Sequence, residues 1–174
     1  MLELKTKHQS AFAKNRLFSD NVLVAFETLH YMKNHNSGQT GFMALKLDMR
    51  KAYDRMEWNF LQKLMEKMGF CTMWIGLIME CVRTISYLIL MNSDPKGLIN
   101  PTRGIRQGVP LSPFLFLLCT EGLHGLIKKT ERAKDINDFS ICKRDPKLTH
   151  LFFADDSLLF CKENSQECGN LLKI

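Results

Sequence analysis

The sequence predicts an α+β fold in which an antiparallel sheet packs with helices. Two apolar runs, 151–153 and 158–160, flank a polar tip, a pattern typical of a β-hairpin. A third apolar run, 87–91, precedes a turn-rich stretch at 92–97, which predicts a second hairpin. Longer segments with apolar residues at helical spacing lie between and around these runs, so the chain mixes both kinds of element.

Four segments are predicted to be helices from their apolar periodicity: 20–33, 57–68, 74–84 and 111–129. Ser19 or Asp20 is expected to cap the first of them. Gly69 follows the second, where glycine is a common C-cap. Pro113 stands near the start of the fourth, where a missing N–H costs nothing.

The first strand is predicted at 42–47 as a short, largely buried segment that ends at Asp48. The strand after 92–97 is expected to include Leu98 and Ile99. Residues 101–110 form a predicted loop with cationic content. This order of elements favours one sheet covered by helices on one face.

Composition indicates an ordinary globular protein. The 174 residues are 45% hydrophobic and 24% charged, enough for one domain with a hydrophobic core. The sequence has no internal repeat and no low-complexity linker, so no internal domain boundary is expected. The net charge of +6 suits a polyanionic partner such as nucleic acid, although many basic proteins bind none.

Six cysteines are present, and none has the C-x-x-C spacing of a zinc site, so reduced thiols in an intracellular protein are expected. The apolar runs are too short for a membrane span, and the N-terminus lacks the apolar core of a signal peptide. Nuclear and cytoplasmic locations remain equally open.

Asp155 and Asp156 occupy the tip of the predicted hairpin, where adjacent like charges repel. A divalent cation would relieve that repulsion, since Mg²⁺ prefers carboxylate oxygens. The alternative is a solvated turn, because aspartate is a common turn residue.

Asp48 supplies a second carboxylate at the end of an apolar strand. If this strand lies beside the Asp155 hairpin, the carboxylates meet, and two metal ions held there could activate a 3′-hydroxyl and stabilise pyrophosphate. Asp48 could instead cap a helix or lie in a surface turn, and Asp54 is an alternative ligand.

Four blocks, in this order, resemble non-LTR (LINE-type) retrotransposon reverse transcriptases of a kind common in plant genomes. They are a fingers block (Gln9-Ser10-Ala11-Phe12, Arg16, Asp20-Asn21, Glu27), motif A (Lys46 to Arg55, then Glu57-Trp58), motif B (Arg103 to Pro113) and motif C (Phe153-Ala154-Asp155-Asp156). Each block is moderately specific, whereas four in order over essentially the whole chain are highly specific.

The resemblance implies an RNA-directed DNA polymerase with a palm-like antiparallel sheet and partial fingers. RNA template, DNA primer and deoxynucleoside triphosphates would be its partners. Asp48 and Asp155 would be the principal ligands of two Mg²⁺ ions, with Asp156 a weaker third member and Mn²⁺ a substitute metal.

The resemblance also assigns nucleotide contacts. Tyr53 would lie under the sugar and exclude a 2′-hydroxyl, and its alternative is a core tyrosine on the first turn of a helix. Gln107 and Gly108 would line the incoming nucleotide and template base, or simply form a turn. Arg16 would contact the triphosphate unless it is a surface arginine.

Arg103 and Arg106 would face the nucleic-acid backbone, whereas Trp58 is expected to pack in the core rather than on a base. Two departures from the family pattern suggest relaxed constraint: Val109 replaces a common acidic residue, and Lys14-Asn15 precedes Arg16.

By the same resemblance, residues 1–41 are partial fingers and 42–174 are palm, ending within the helix after motif C. The thumb is then missing, and weak or non-processive synthesis is expected from this chain alone. A catalytically inactive nucleic-acid-binding remnant is the main alternative function. A metal-dependent phosphotransfer enzyme such as a nucleotide cyclase is less favoured, because motif B and Tyr53 fit a templated nucleotide pocket.

Overall fold

The computed structural model of the protein describes residues 17–34, 41–137 and 148–174. The helices are α1 (Phe18–Asn34), α2 (Trp58–Lys67), α3 (Thr72–Arg83), α4 (Leu111–Arg132) and α5 (Ser165–Leu171). The strands are β1 (Phe42–Asp48), β2 (Tyr87–Met91), β3 (Asp94–Ile99), β4 (His150–Phe153) and β5 (Asp156–Lys162). The predicted α+β class is confirmed.

The chain divides into two compact units. Unit 1 comprises residues 1–50 and 120–174, and unit 2 comprises residues 51–119. The assignment of 1–41 to fingers and 42–174 to palm stays a prediction.

The sheet of unit 1 is antiparallel and has the order β1-β5-β4. The central strand β5 carries four buried residues, whereas every residue of β1 is exposed or half-buried. The prediction of a largely buried first strand was therefore wrong. Its apolar run lies at the edge of the sheet, where only one side of the strand is paired.

Both faces of this sheet are covered by helices. Side chains of a strand alternate between the faces, so the apolar residues of β1, β4 and β5 divide into two sets. One set packs with Ile127 of α4 and Leu171 of α5, and the other packs with Ala25 and Met32 of α1. The prediction of helices on one face only was wrong, because periodicity shows that a helix has an apolar side but not which face receives it.

The first helix starts earlier than predicted. It begins at Phe18, and the Asp20 carboxylate accepts a hydrogen bond from the backbone N–H of Leu17 at 3.2 Å. Asp20 therefore lies within the first turn and reaches back to the residue before the helix, as the acidic partner of a capping box does. The residue before the helix is Leu17, so the prediction of a cap at Ser19 or Asp20 was wrong by two or three residues.

Glu167 joins three segments of unit 1. Its buried carboxylate accepts hydrogen bonds from the backbone N–H groups of Asn137 (3.2 Å) and Lys162 (3.1 Å) and from the Asn137 and Asn164 side-chain amides (2.6 and 3.2 Å). Asn164 in turn caps α5 by accepting from the Glu167 N–H at 2.7 Å. Burial raises the pKa of Glu167, but these hydrogen bonds outweigh it and leave the pKa below its ordinary value.

Unit 2 contains α2, α3 and the β2–β3 hairpin. The buried residues of the two helices are Leu61, Met65, Ile75, Met79 and Val82. Gly69 follows α2 with a φ of +81°, as its predicted capping role requires.

The hairpin begins at Tyr87 as predicted, but its turn is shorter than the predicted 92–97. Only Asn92 and Ser93 form it, with φ of +52° and +65°, as in a two-residue type I′ turn. Pro95 lies within β3, which a two-stranded ribbon tolerates because one side of each strand needs no N–H donor.

The cysteines were predicted to be reduced thiols. The five in the described ranges are free thiols, and Cys142 lies outside those ranges. Burial raises the pKa of Cys119 to about 12, so this thiol is unreactive at neutral pH.

Candidate active site

Two of the predicted carboxylates face each other across the sheet of unit 1. In the antiparallel pairing of β1 with β5, Asp48 is the register partner of Asp156. Directly opposed residues project to the same face of a sheet with Cβ atoms about 4.5–5.5 Å apart. The backbones of Asp48 and Asp156 therefore start their side chains from neighbouring positions.

Asp155 occupies the turn next to this pair. Ala154 and Asp155 join β4 to β5, and Ala154 has a φ of +50°, which non-glycine residues adopt at a cost of about 1–2 kcal/mol. The N–H of Met49 donates to the Asp155 carbonyl at 3.1 Å, so the pairing continues into the turn. All three predicted carboxylates thus belong to one end of the sheet.

The sequence did not single out Lys46 as a site residue. Its Nζ lies 3.3 Å from Oδ1 of Asp156, and the two side chains are 68% and 43% exposed. The available signal was period-two spacing, because Lys46 precedes Asp48 by two residues and shares its face of the strand.

The side chain of Asn21 in α1 holds strand β4 of the hairpin. The buried side-chain amide donates to the Phe152 carbonyl at 3.1 Å, one residue before the end of β4. A buried amide of this kind fixes the strand that leads into the Asp155 turn.

The carboxylates suit Mg²⁺ chemically, since they are hard oxygen donors that reach solvent. Within 17–34, 41–137 and 148–174, however, no group of three or more His, Cys, Asp or Glu residues could hold a metal ion. The alternative ligand Asp54 belongs to unit 2.

Tyr53 lies in unit 2 in a turn that spans 50–55, not in a helix. Its ring stacks on the buried Phe116 of α4 with centroids 5.2 Å apart and an interplanar angle of 12°. The helical first turn that the alternative reading of Tyr53 assumed was wrong, while half-burial of the ring is compatible with either a core or a nucleotide-facing role. Phe116 was missed because its position in the apolar start of α4 resembles any core residue.

The motif B loop is fixed to the segment after Tyr53 by three hydrogen bonds. The Gly104 N–H donates to the Met56 carbonyl at 2.8 Å, and the Ile105 N–H donates to the Tyr53 carbonyl at 2.9 Å. Trp58 Nε1 donates to the Gly104 carbonyl at 2.6 Å. The half-buried Trp58 thus packs within the protein as expected, and it also anchors the loop.

Gln107 and Gly108 form an exposed turn just before α4, with a φ of +78° at Gly108. The loop is also held to the start of α4, because the buried Ser112 hydroxyl donates to the Arg106 carbonyl. The turn is therefore both solvent-accessible and held in place.

The two loop arginines are exposed. Arg103 Nη1 lies 3.7 Å from Oε1 of Glu57, an exposed pair of the kind that exchanges easily with other anions. Arg16 lies outside the described residues, so its predicted triphosphate contact stays a prediction.

The sequence matches the family described as "Reverse transcriptase (RNA-dependent DNA polymerase)" over residues 2–174. It is 44% identical over 70 residues to an uncharacterised mitochondrial protein of Arabidopsis thaliana, covering 40% of this chain and 57% of that protein. It is 26% identical to the uncharacterised 149 kDa protein of transposon TX1 from Xenopus laevis, covering 92% of this chain and 12% of that protein. A third relative is the Pol polyprotein from type-1 retrotransposable element R2 of Popillia japonica, 27% identical over 75% of this chain and 20% of that protein.

A solved structure of telomerase from Candida albicans, in complex with a fragment of telomeric RNA, has a TM-score of 0.61 to this chain at 16% sequence identity. The similarity covers 91% of this chain and 28% of that chain, and it concerns the fold alone. Among the described residues, no helix is both long and apolar enough to cross a membrane.

Proposed function

Because the chain belongs to the reverse transcriptase (RNA-dependent DNA polymerase) family, we propose that it forms part of the catalytic core of an RNA-directed DNA polymerase. The predicted resemblance to retrotransposon enzymes is confirmed by the relatives from TX1 and R2. One observation carries the catalytic proposal: the β1–β5 register sets Asp48 opposite Asp156 and beside the turn of Asp155.

Asp48 and Asp155 are proposed as the principal ligands of two Mg²⁺ ions, with Asp156 as a weaker third ligand. When bound, such ions would lower the barrier to attack by the primer 3′-hydroxyl and neutralise charge on the leaving pyrophosphate. The contribution of the chain is positioning: paired strand ends hold the carboxylates at fixed places without covalent chemistry.

Tyr53, Gln107 and Gly108 are proposed to contact the incoming nucleotide. The stack on Phe116 supports a sugar-selecting role for Tyr53, since a ring held in one orientation can exclude a 2′-hydroxyl by bulk. The positive φ and open surroundings of Gly108 support close approach of a ligand to its backbone. Arg16 is proposed to contact the triphosphate by family resemblance alone.

Arg103 and Arg106 are proposed to contact the phosphate backbone of template or primer. Both side chains are exposed, and the net charge of +6 favours a polyanion. Arg103 would exchange its exposed pair with Glu57 for a phosphate oxygen, at little cost in stability.

A catalytically inactive nucleic-acid-binding protein is the second candidate function. It is favoured by the absence, among the described residues, of three ligands gathered for a metal. The chain also spans only 57%, 12% and 20% of its three relatives, so activity of a whole polymerase remains a proposal for it.

Extension of a DNA primer on an RNA template with Mg²⁺ tests the proposal. Wild type and Asp135→Ala, which removes an exposed carboxylate far along the chain from the three aspartates, are expected to incorporate labelled deoxynucleotide. Asp155→Ala is expected to fall to background, because a principal metal ligand is lost.

Equal background incorporation by wild type and Asp155→Ala would sink the catalytic proposal. Fluorescence anisotropy with the same primed template then decides the alternative: retained binding without extension identifies the inactive nucleic-acid-binding protein. Circular dichroism of each variant excludes unfolding as the cause.

A further inference from the structure

Lys46 is placed among the proposed metal ligands. Its register partner is Leu158, and this pair lies two residues along the strands from the opposed pair Asp48 and Asp156. Residues two apart on a strand share a face, so Lys46 and Asp48 project to the same side of the sheet. Asp156 projects to that side as well, because it pairs directly with Asp48.

The charge arrangement on this face is unbalanced without the lysine. Like charges directly opposite each other on neighbouring strands are destabilising, and Asp48 faces Asp156 in this way. Lys46 lies diagonally across the strands and brings its Nζ to 3.3 Å from Asp156 Oδ1. Among the described residues, no ion pair involves Asp48 or Asp155.

We propose that Lys46 is a positioning residue of the metal site, which holds the Asp156 carboxylate back along the sheet and leaves Asp48 and Asp155 as the ligands. This inference rests on the proposed function. Asp156 is thus tethered by Lys46, whereas Asp48 is open to a metal ion.

Titration of the 174-residue protein with Mn²⁺ alone at low salt tests this. Electron paramagnetic resonance of the free ion measures how much Mn²⁺ stays unbound. Lys46→Gln is expected to bind Mn²⁺ about 2- to 5-fold more tightly, the range that an exposed ion pair of this kind represents. Lys46→Arg should match wild type, because it keeps the charge. Lys96→Gln, which breaks the exposed Lys96–Asp94 pair of the β2–β3 hairpin, is the matched control and should also match wild type.

Measuring the effect of Lys46→Gln in a protein that also carries Asp156→Asn decides whether the effect depends on the Asp156 carboxylate. The gain from Lys46→Gln should shrink there, because no tethered carboxylate remains to be released. An equal gain in both backgrounds means that Lys46 acts only as a nearby charge, and this overturns the positioning role. Unchanged or weaker binding by Lys46→Gln overturns it too.

The same measurement separates this inference from the one beneath it. If wild type binds Mn²⁺ and Lys46→Gln binds it equally, only the lysine proposal fails. If wild type binds no Mn²⁺, the metal site itself fails and the lysine role fails with it. Circular dichroism in the presence of EDTA verifies that every variant is folded.

Discussion

At the scale of single residues, two buried serines differ in whether their hydroxyl has a partner. Ser157 is 1% exposed, and within the described residues its Oγ has no hydrogen-bond partner. Ser112 is 4% exposed and donates to the Arg106 carbonyl. Burying a hydroxyl without a partner costs free energy, whereas a satisfied one contributes to stability.

We therefore expect opposite effects from the same substitution at these positions. Ser157→Ala should raise the free energy of unfolding by about 1 kcal/mol, and Ser112→Ala should lower it by about 1 kcal/mol. Urea denaturation measures both. A loss of stability in Ser157→Ala would show that its hydroxyl is hydrogen-bonded in solution.

Glu167 makes stability depend on pH. Its folded pKa lies below the ordinary value, so its contribution is complete above the ordinary glutamate pKa of about 4.3 and is lost as the pH falls through the folded pKa. Glu167→Gln should lower the free energy of unfolding by about 1.5–3 kcal/mol at pH 7, because an amide N–H₂ then meets the donors of Asn137 and Lys162.

This difference from wild type should shrink in urea titrations as the pH falls below the ordinary glutamate pKa and through the lower folded pKa of Glu167. Glu163→Gln, at an exposed neighbour, is the control and should differ little from wild type at any pH. A Glu167→Gln effect that stays constant with pH would contradict a charged carboxylate in the folded protein.

At the scale of elements, the motif B loop depends on a glycine. Gly104 has a φ of +89°, and a Cβ there would lie 2.9 Å from the Asp54 carbonyl oxygen and 3.1 Å from the Asp54 Cα. Backbone atoms cannot swing aside as a flexible side chain does. The loop and the turn after Tyr53 can therefore approach this closely only with glycine.

Gly104→Ala should lower the free energy of unfolding by about 2–5 kcal/mol, from the left-handed φ and the contact together. Gly69→Ala is the matched control: its φ is +81°, and nothing lies within 4 Å of the added Cβ. It should cost only about 1–2 kcal/mol. Equal losses in urea denaturation would refute the role of the close contact.

Local chemistry predicted most of these elements. Gly69 marked the end of α2, and the run from Tyr87 to Met91 became β2 unchanged. The β2–β3 turn was predicted too long, because Asn92 and Ser93 complete it with left-handed backbone and leave Pro95 free to join the strand. Local signals do not reveal how elements pack, so the second covered face of the sheet was not foreseen.

Some residues of the candidate site were likewise predicted from the sequence, and others were not. Residue types identified Asp48 and Asp155 as candidates and the family resemblance added Tyr53, but spacing alone could not say whether the two aspartates meet. Their proximity follows from pairing between strands more than 100 positions apart, which depends on the whole core of unit 1. The ion pair of Lys46 with Asp156 became visible through that strand pairing, and the stack of Tyr53 on Phe116 became visible through packing within unit 2.

At the scale of the whole molecule, the β2–β3 hairpin is unusual in its exposure. Every residue of both strands is exposed, and several are large and apolar: Tyr87, Leu88, Ile89, Leu90, Met91, Leu98 and Ile99. An isolated two-stranded ribbon is marginally stable in water, and exposed apolar strands favour association.

We therefore expect the chain to self-associate with rising concentration and Leu90→Lys to reduce this. Leu90 is 71% exposed, so the change should leave the free energy of unfolding within about 0.5 kcal/mol of wild type. Leu172→Lys is a matched control outside the hairpin, at 75% exposure. Equal light scattering from the two variants would show that association does not involve the hairpin.

The register of β1 with β5 also determines which mutations the site tolerates. Because successive side chains of a strand point to opposite faces, deleting one residue between Asp156 and Lys162 would move the residues on one side of the deletion to the opposite face. Either the aspartate turns to the opposite face or the core residues Leu159 and Cys161 leave the α4 and α5 side for the face that α1 covers. A point substitution at any of these positions changes one side chain, whereas a single-codon deletion displaces either the carboxylate or several core residues at once. The length of this strand is therefore more constrained than the identity of most residues in it.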